Sequence, residues 1–308
     1  MSKKNKEIHL IILNWNGFQD TFECLTSVQK MRNENIKITV VDNGSTEDDY
    51  NKLFSHFPDI NLIRSDKNLG FSGGNNLGIK YALDNNSDFI LLLNNDTIVE
   101  PDFLEPLLKI FEDEENVGIV SPQINYYNEP KKIWSEGGYI SKIRGSGFAY
   151  SDKIKCDSKI EYGKKDFVSG CCMLIKKDVF QKIGLFDENY FLYLEDADLC
   201  VRTTKSGFNI FISNKSRIYH KVSKSTTNKF SELPLYYVTR NRLFFIKKNY
   251  PKFTLLTLSY LFFTMIIKSF FWIINGSKSN VQVVIKSFSD FFKNKMGKTD
   301  HNKLIKIK

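Results

Sequence analysis

Phe89-Ile90-Leu91-Leu92-Leu93-Asn94-Asn95-Asp96 joins five consecutive apolar residues to two amides and a carboxylate. Such a run predicts a strand buried on both faces whose carboxyl end opens into a polar site. In an open parallel sheet ligands bind beyond the carboxyl ends of the strands, which puts Asp96 where chemistry is expected. An ordinary turn followed by a helix from Thr97 or Pro101 fits the same residues, so the neighbouring segments must decide.

On the N-terminal side, Ile8 to Leu13 forms another apolar run, stopped by Asn14-Trp15-Asn16-Gly17. Phe18, Phe22, Leu25, Val28 and Met31 then recur at helical spacing. Ile36 to Val41 predicts a second strand ending in Asp42-Asn43-Gly44-Ser45, and Asp48 to Phe57 suits a helix. A short strand follows at Ile60 to Arg64. Asn68 to Asn76 is glycine-rich and predicts a loop before a helix through Leu83. This alternation argues for an α/β chain with a mostly parallel, doubly wound sheet. Beyond residue 115 the pattern weakens. Val117 to Val120 and Lys132 to Trp134 are short strand candidates, and Gly137 to Gly147 is glycine-rich. Order returns with Phe167 to Lys176, a helix at Lys177 to Ile183, the segment Phe186 to Arg202 and a strand at Asn209 to Ile212.

The composition is that of a globular chain: 308 residues, 42% hydrophobic and 26% charged, with a formal charge of +9. Residues 221–308 carry 17 Lys and Arg against Glu232, Asp290 and Asp300, a surplus of 14 that leaves residues 1–220 at −5. Basic charge mixed with Phe, Leu and Ile suits an anionic membrane surface. Nucleic acid is disfavoured as a partner because no recognisable binding motif accompanies the tail. Five cysteines without paired spacing indicate neither a disulfide framework nor a zinc site and fit a reducing cytosol. The run from Ile8 to Leu13 is too short for a signal peptide, so a cytoplasmic location is expected.

Four constellations fall at strand ends or in loops. Asp42 can accept hydrogen bonds from a nucleobase imide or a ribose hydroxyl, although taken alone an N-cap or Asx turn suits the position better. The Gly70 to Asn76 segment lets backbone approach a ligand closely. Asn94-Asn95-Asp96 offers a carboxylate for Mg2+ or Mn2+, hard cations that prefer oxygen ligands and phosphates. In Phe191-Leu192-Tyr193-Leu194-Glu195-Asp196-Ala197-Asp198-Leu199-Cys200-Val201-Arg202, three acids lie among large apolar residues, a costly arrangement unless they are solvated, paired or functional. On a helix Glu195 and Asp198 share a face and Arg202 pairs with Asp198, which leaves Asp196 to meet a substrate. His220 follows a strand and loop, where an imidazole could complete a cation site with Asp96 or be purely structural.

Taken in order, Ile11 to Gly17, Val40 to Ser45, Asn68 to Asn76, Leu93 to Asp96, Gly184 to Glu188 and Tyr193 to Cys200 resemble family 2 glycosyltransferases, in particular their rhamnosyltransferase-like branch. The resemblance covers roughly residues 7–245 and implies a GT-A fold, a nucleotide-diphospho-sugar donor (UDP or dTDP) and inversion at the anomeric carbon. It further implies that Asn14, Asn16, Asp42, Gly70, Gly74, Asn75, Asn94, Asn95, Asp96 and Gly170 contact the donor. Asp196 would be the general base, with Glu195 beside it, and Asp96 with His220 would hold the divalent cation. Asn94 replaces the first acid of the family's Asp-x-Asp pattern, leaving one carboxylate there. The Gln-x-x-Arg-Trp element of processive synthases is absent, which favours one transfer per acceptor.

The chain therefore divides into a catalytic part, 1–245, and a basic, aromatic helical region, 246–308. Phe253 to Ile274 is its most apolar segment. Lys268 and several Thr and Ser interrupt that segment, so an in-plane amphipathic helix fits better than a single transmembrane span. Packing against the catalytic part is the plain alternative. A membrane-facing tail suggests a polyprenyl-diphosphate-linked saccharide acceptor, whose phosphate Arg240 or Arg242 could hold and whose saccharide Asp198 could contact. Two rivals remain: a catalytically silent membrane-docking scaffold, and a sugar nucleotidyltransferase. The second would want a basic, glycine-rich signature directly after the first strand, which Asn14-Trp15-Asn16-Gly17 is not.

Overall fold

The computed structural model describes residues 6–31, 36–150, 161–222 and 232–300; Cys156 and the lysines at 303, 306 and 308 lie outside them. Strands β1 (Ile8–Asn14), β2 (Ile36–Asp42), β3 (Asn61–Arg64) and β4 (Phe89–Asn94) run parallel. They are joined by helices α1 (Phe18–Val28), α2 (Asp49–His56) and α3 (Gly70–Asp84), in the order β4-β1-β2-β3. Buried Ile and Leu, with Phe89, fill β1 and β4 on both faces, as a sheet covered by helices requires.

The second half mixes strand directions. It contains β5 (Thr97–Val99), α4 (Glu105–Asp113), β6 (Val117–Tyr126), β7 (Ile133–Ser135), β8 (Gly138–Ser141), β9 (Ser146–Ala149), β10 (Tyr162–Lys165), β11 (Cys172–Lys176), α5 (Lys177–Ile183), α6 (Glu195–Lys205) and β12 (Asn209–His220). Strand β11 inserts antiparallel between β4 and β6, while β12 lies parallel to β6. A ten-stranded sheet results, with β8 and β9 forming a separate hairpin. The carboxyl ends of β1, β2, β4 and β12 therefore share one edge with the amino end of β11.

One alternative is set aside and three local expectations are corrected. Thr97 begins a strand, because Thr97 to Val99 pairs with His220 to Ile218. The glycine-rich stretch after Leu69 is not a loop: α3 begins at Gly70. Its glycines let the helix approach β1, since a Cβ on Gly74 would lie 2.4 Å from Leu13 Cδ1 and one on Gly78 2.6 Å from Ile11 Cγ2. The strand starting at Val117 runs on to Tyr126, and that starting at Asn209 runs on to His220, crossing an irregularity between Ser213 and Arg217.

Among the described residues three helices follow β12: α7 (Glu232–Asn249), α8 (Thr254–Ile274) and α9 (Lys278–Phe292). They pack around Leu235, Tyr236, Leu261, Met265, Val283 and Phe291, and this cluster also takes in Phe191, Leu192 and Tyr193. Residue 245, where the sequence suggests a boundary, lies inside α7. On α8 only Thr257, Leu261 and Met265 are buried.

Candidate active site

At the end of β1, Asn14 is fully buried and ties two carboxylates together. Its Nδ2 lies 3.3 Å from Asp42 Oδ1 and donates to Asp49 Oδ2 at 2.9 Å, while its Oδ1 accepts from Thr21 Oγ1. Ser45 Oγ also donates to Asp42 Oδ1, and Gly17 N to Asp49 Oδ2. Each acid is 1% exposed, and each keeps one buried oxygen, Asp42 Oδ2 and Asp49 Oδ1, without a hydrogen bond. Arg64 Nε, 4.0 Å from Asp42 Oδ2, is the nearby cation. A buried carboxylate oxygen with no donor is costly unless a ligand supplies one. Asp49 was not singled out by the sequence, because a lone acid in the first turn of a helix is ordinary; only the register of Asn14 beside Asp42 reveals it. Asn16 lies at the same edge with φ +49°, accepting from Thr46 N at 2.8 Å.

The start of α3 is buried rather than open. Asn75 Nδ2 donates to Phe71 O within its own helix, and Gly74 faces Leu13 and Asn43. Gly70 has φ +75°, and Asn43 holds it in place by donating to Gly70 O at 3.1 Å.

The turn after β4 places Asn94 and Asn95 partly exposed and Asp96 only 7% exposed. Asn95 Nδ2 donates to Thr21 Oγ1 at 3.0 Å. Asp96 Oδ1 lies 3.1 Å from His220 Nε2, a juxtaposition made by the pairing of Thr97 with His220. The indole of Trp134 stands edge-on to the imidazole, 4.5 Å between centroids, and His220 Nδ1 is buried without a partner. Among the described residues no three His, Cys, Asp or Glu converge on one point.

Asp196 reaches the same edge from α6. Gly170 N donates to Asp196 Oδ2 at 3.0 Å and Ala197 N to Oδ1 at 2.7 Å. Gly170 precedes Cys171, whose carbonyl accepts from Asn94 N at 2.9 Å. One continuous backbone path thus joins the Asp96 turn to the Asp196 carboxylate, and the Cys171 thiol, held up chiefly by burial, also feels the Asp96 charge. Burial raises the Asp196 carboxyl above the ordinary carboxylate range, opposed by the Gly170 and Ala197 amides. Glu195, 6% exposed, is raised much further, first by burial and then by the Asp196 charge.

Two expected contacts, Asp198 and Arg240, are buried and occupied within the fold, while Arg242 is partly buried. Asp198 is wholly buried and saturated: Tyr190 Oη and Asn249 Nδ2 donate to Oδ1, Arg202 Nε and Lys248 Nζ to Oδ2. It is a structural hub and offers no open oxygen to an acceptor. Arg240, 1% exposed, lies between the Tyr236 and Tyr237 rings and donates to Lys295 O and Gly297 O, so it does not face an acceptor phosphate from the surface. Arg242 Nε donates to Arg144 O, and burial lowers its guanidinium to about 10.

Residues 10–184 match the family described as Glycosyl transferase family 2. This chain belongs to family 2 of the glycosyltransferases. Over 242 residues this family 2 chain is 28% identical to the low-salt glycan biosynthesis hexosyltransferase Agl10 of Haloferax volcanii, spanning 77% of this chain and 74% of that protein. Over 232 residues it is 25% identical to the N-acetylglucosaminyl-diphospho-decaprenol L-rhamnosyltransferase of Mycobacterium tuberculosis, spanning 68% and 74%. The fold is shared with GalNAc-T7, crystallised with UDP, GalNAc and Mn2+, at TM-score 0.61 and 14% identity, over 80% of this chain and 48% of that one. The glycosyltransferase is thus a rhamnosyltransferase-like, GT-A-type enzyme.

Proposed function

We propose that this enzyme transfers one sugar, with inversion, from a UDP- or dTDP-activated donor to a saccharide or polyprenyl-diphosphate-linked acceptor during cell-surface polysaccharide assembly. The observation that carries this reading is the path from Asn94 through Cys171 and Gly170 to Asp196, which supports Asp96 and Asp196 acting on one cleft. Asp42 and Asp49, each with an orphaned buried oxygen, suit the imide and hydroxyl donors of a nucleoside. Asp196, held by two amides, accepts the acceptor hydroxyl's proton as that oxygen attacks opposite the leaving diphosphate. Its raised proton affinity brings it closer to the ideal of a base matched to working pH.

Asp96 and His220 fit a divalent cation as a two-ligand seat, one carboxylate oxygen and one imidazole nitrogen already adjacent, a set that suits Mn2+ better than Mg2+. When bound, the cation would neutralise charge on the leaving diphosphate. With Asn94 in place of a second acid, diphosphate oxygens would have to complete the shell.

The C-terminal helices support a seat on the inner face of the cell membrane, with 246–308 as the docking appendage. Within Pro251–Ile274 an 18-residue stretch has a mean hydropathy of 1.6 with 17% of its residues buried, and Leu255, Phe263, Phe270 and Ile274 are each more than 60% exposed. Exposed Lys252, Lys268 and Lys278 fit anionic head groups around an in-plane helix.

The test is to incubate pure enzyme with UDP- and dTDP-sugars, Mn2+ and saccharide acceptors, and to follow nucleoside diphosphate release. Release that Asp196→Asn abolishes supports the reading. Silence across the panel, with Asp196→Asn indistinguishable from wild type, favours a scaffold.

A further inference from the structure

Immediately ahead of α6, Phe191, Tyr193 and Leu194 stand in the left-handed region at φ +61°, +69° and +72°. Side chains disfavour that conformation, which persists only where the surroundings over-determine it. Leu194 O accepts the Asp198 N–H at 2.9 Å and so starts the helix. The path of residues 190–194 therefore sets where Asp196, in the first turn of α6, points.

One side chain grips that path. Asn241, wholly buried in α7, places Nδ2 at 2.9 Å from Tyr190 O, 2.9 Å from Leu192 O and 3.0 Å from Tyr193 O. An amide nitrogen has two protons, so three carbonyls share two donors. Arg240 Nε donates to Asn241 Oδ1 at 3.0 Å, which keeps the nitrogen end of the amide toward the loop. The opposite side is closed by α3: Phe71 N donates to Phe191 O at 2.7 Å, and a Cβ on Gly70 would lie 2.2 Å from that oxygen. Gly297 N bonds Asn189 O, so the segment after α9 also rests on the loop.

We propose that Asn241 is a positioning residue for Asp196: by holding the carbonyls of Tyr190, Leu192 and Tyr193 in a segment with three left-handed residues, it fixes the first turn of α6, and with it the angle at which the base meets the acceptor hydroxyl. It touches neither donor nor acceptor. The inference rests on the reading of Asp196 as the general base, and it makes the C-terminal helices part of the catalytic framework.

The full chain carrying Asn241→Ala is compared with Tyr193→Gly and the double variant, measuring kcat, donor KM and affinity for UDP or dTDP with Mn2+, well below the melting temperature. A displaced base costs turnover, so Asn241→Ala lowers kcat about 100-fold and leaves donor KM and nucleotide affinity within about threefold. Glycine adopts positive φ freely, so Tyr193→Gly recovers about tenfold of that loss in the double variant. If Asn241→Ala does not fold, Asn241→Asp, which keeps the shape and loses the donors, is read by the same split. Unchanged kcat, or kcat and nucleotide affinity falling together with no rescue by Tyr193→Gly, overturns the proposal. A wild-type chain that transfers no sugar overturns the function reading and this inference with it, whereas an active wild type with unchanged variants overturns the inference alone.

Discussion

Asp198→Asn and Asp196→Asn, two residues apart on one helix, should fail in opposite ways. Asp198 is 0% exposed and accepts four hydrogen bonds, two from cations: Arg202 Nε at 2.7 Å and Lys248 Nζ at 2.9 Å. Removing one partner of a buried ionic cluster costs about 3–5 kcal/mol. Here the lower end applies, because Arg202 keeps the carbonyls of Ile183 and Leu185 and Lys248 keeps Asp187 at 2.7 Å. At roughly 2–4 °C per kcal/mol for a chain of this size, a loss of about 3 kcal/mol lowers Tm by about 6–12 °C. Turnover per folded molecule at 25 °C should stay near wild type. Asp196→Asn loses one backbone hydrogen bond, about 1 kcal/mol, and gains by lifting a buried charge, so its Tm should move little. Its turnover should fall by about 10² to 10⁴ as the base is removed. Scanning calorimetry and a nucleoside diphosphate release assay on the same preparations decide it. An Asp198→Asn chain that melts normally yet cannot turn over would refute the assignment of Asp198 as structural.

Glu195→Gln should stabilise the chain at neutral pH. Burial and the Asp196 charge raise the Glu195 carboxyl well above its ordinary 4.5, so wild-type stability falls as pH rises above about 4.5, where the unfolded chain ionises and the native one does not. The Tm advantage of Glu195→Gln should therefore grow upward from pH 4.5 and vanish below it; an advantage that is constant with pH contradicts the burial argument. Gly78→Ala gains helix propensity of about 1 kcal/mol, but its Cβ would lie 2.6 Å from Ile11 Cγ2, and overpacking of about 1–3 kcal/mol outweighs that gain. Thermal melts should show a drop of a few degrees, and a rise would mean that α3 can shift away from β1. Replacing Phe263, Phe270 and Ile274 together by Ser should abolish co-flotation with vesicles rich in anionic lipid while leaving transfer to a soluble acceptor intact; unchanged flotation would remove α8 as the docking face.

The parallel half of the sheet was legible because β1, β2 and β4 are short, largely apolar runs ended by Asn or Asp, all at one edge. That Glu195 and Asp198 share a face of α6 and Asp196 lies off it was legible on a helical wheel; that their shared face is the buried one was not. The start of α3 was not, because glycine and asparagine signal turns locally, while their value here is the approach to Leu13 and Ile11 that only the packed sheet demands. Nor were Asp49 and Asn241. Each matters through partners far along the chain, Asn14 in one case and the carbonyls of residues 190–193 in the other. The basic residues of α7 misled for the opposite reason: Arg240 reads as a phosphate ligand until its burial between two tyrosines is seen.

In the proposed reaction Asp96 and Asp196 face one cleft, the first at the donor diphosphate and the second at the attacking acceptor hydroxyl. Crystals soaked with Mn2+ and a non-hydrolysable UDP- or dTDP-sugar test it most directly. The diphosphate should lie against Asp96 and His220, with the anomeric carbon turned toward Asp196 and the base between Asp42 and Asp49. A nucleotide bound at the opposite edge of the sheet, in the depression lined by Lys6, Asp88 and Phe208, or with its sugar facing away from Asp196, would contradict the account.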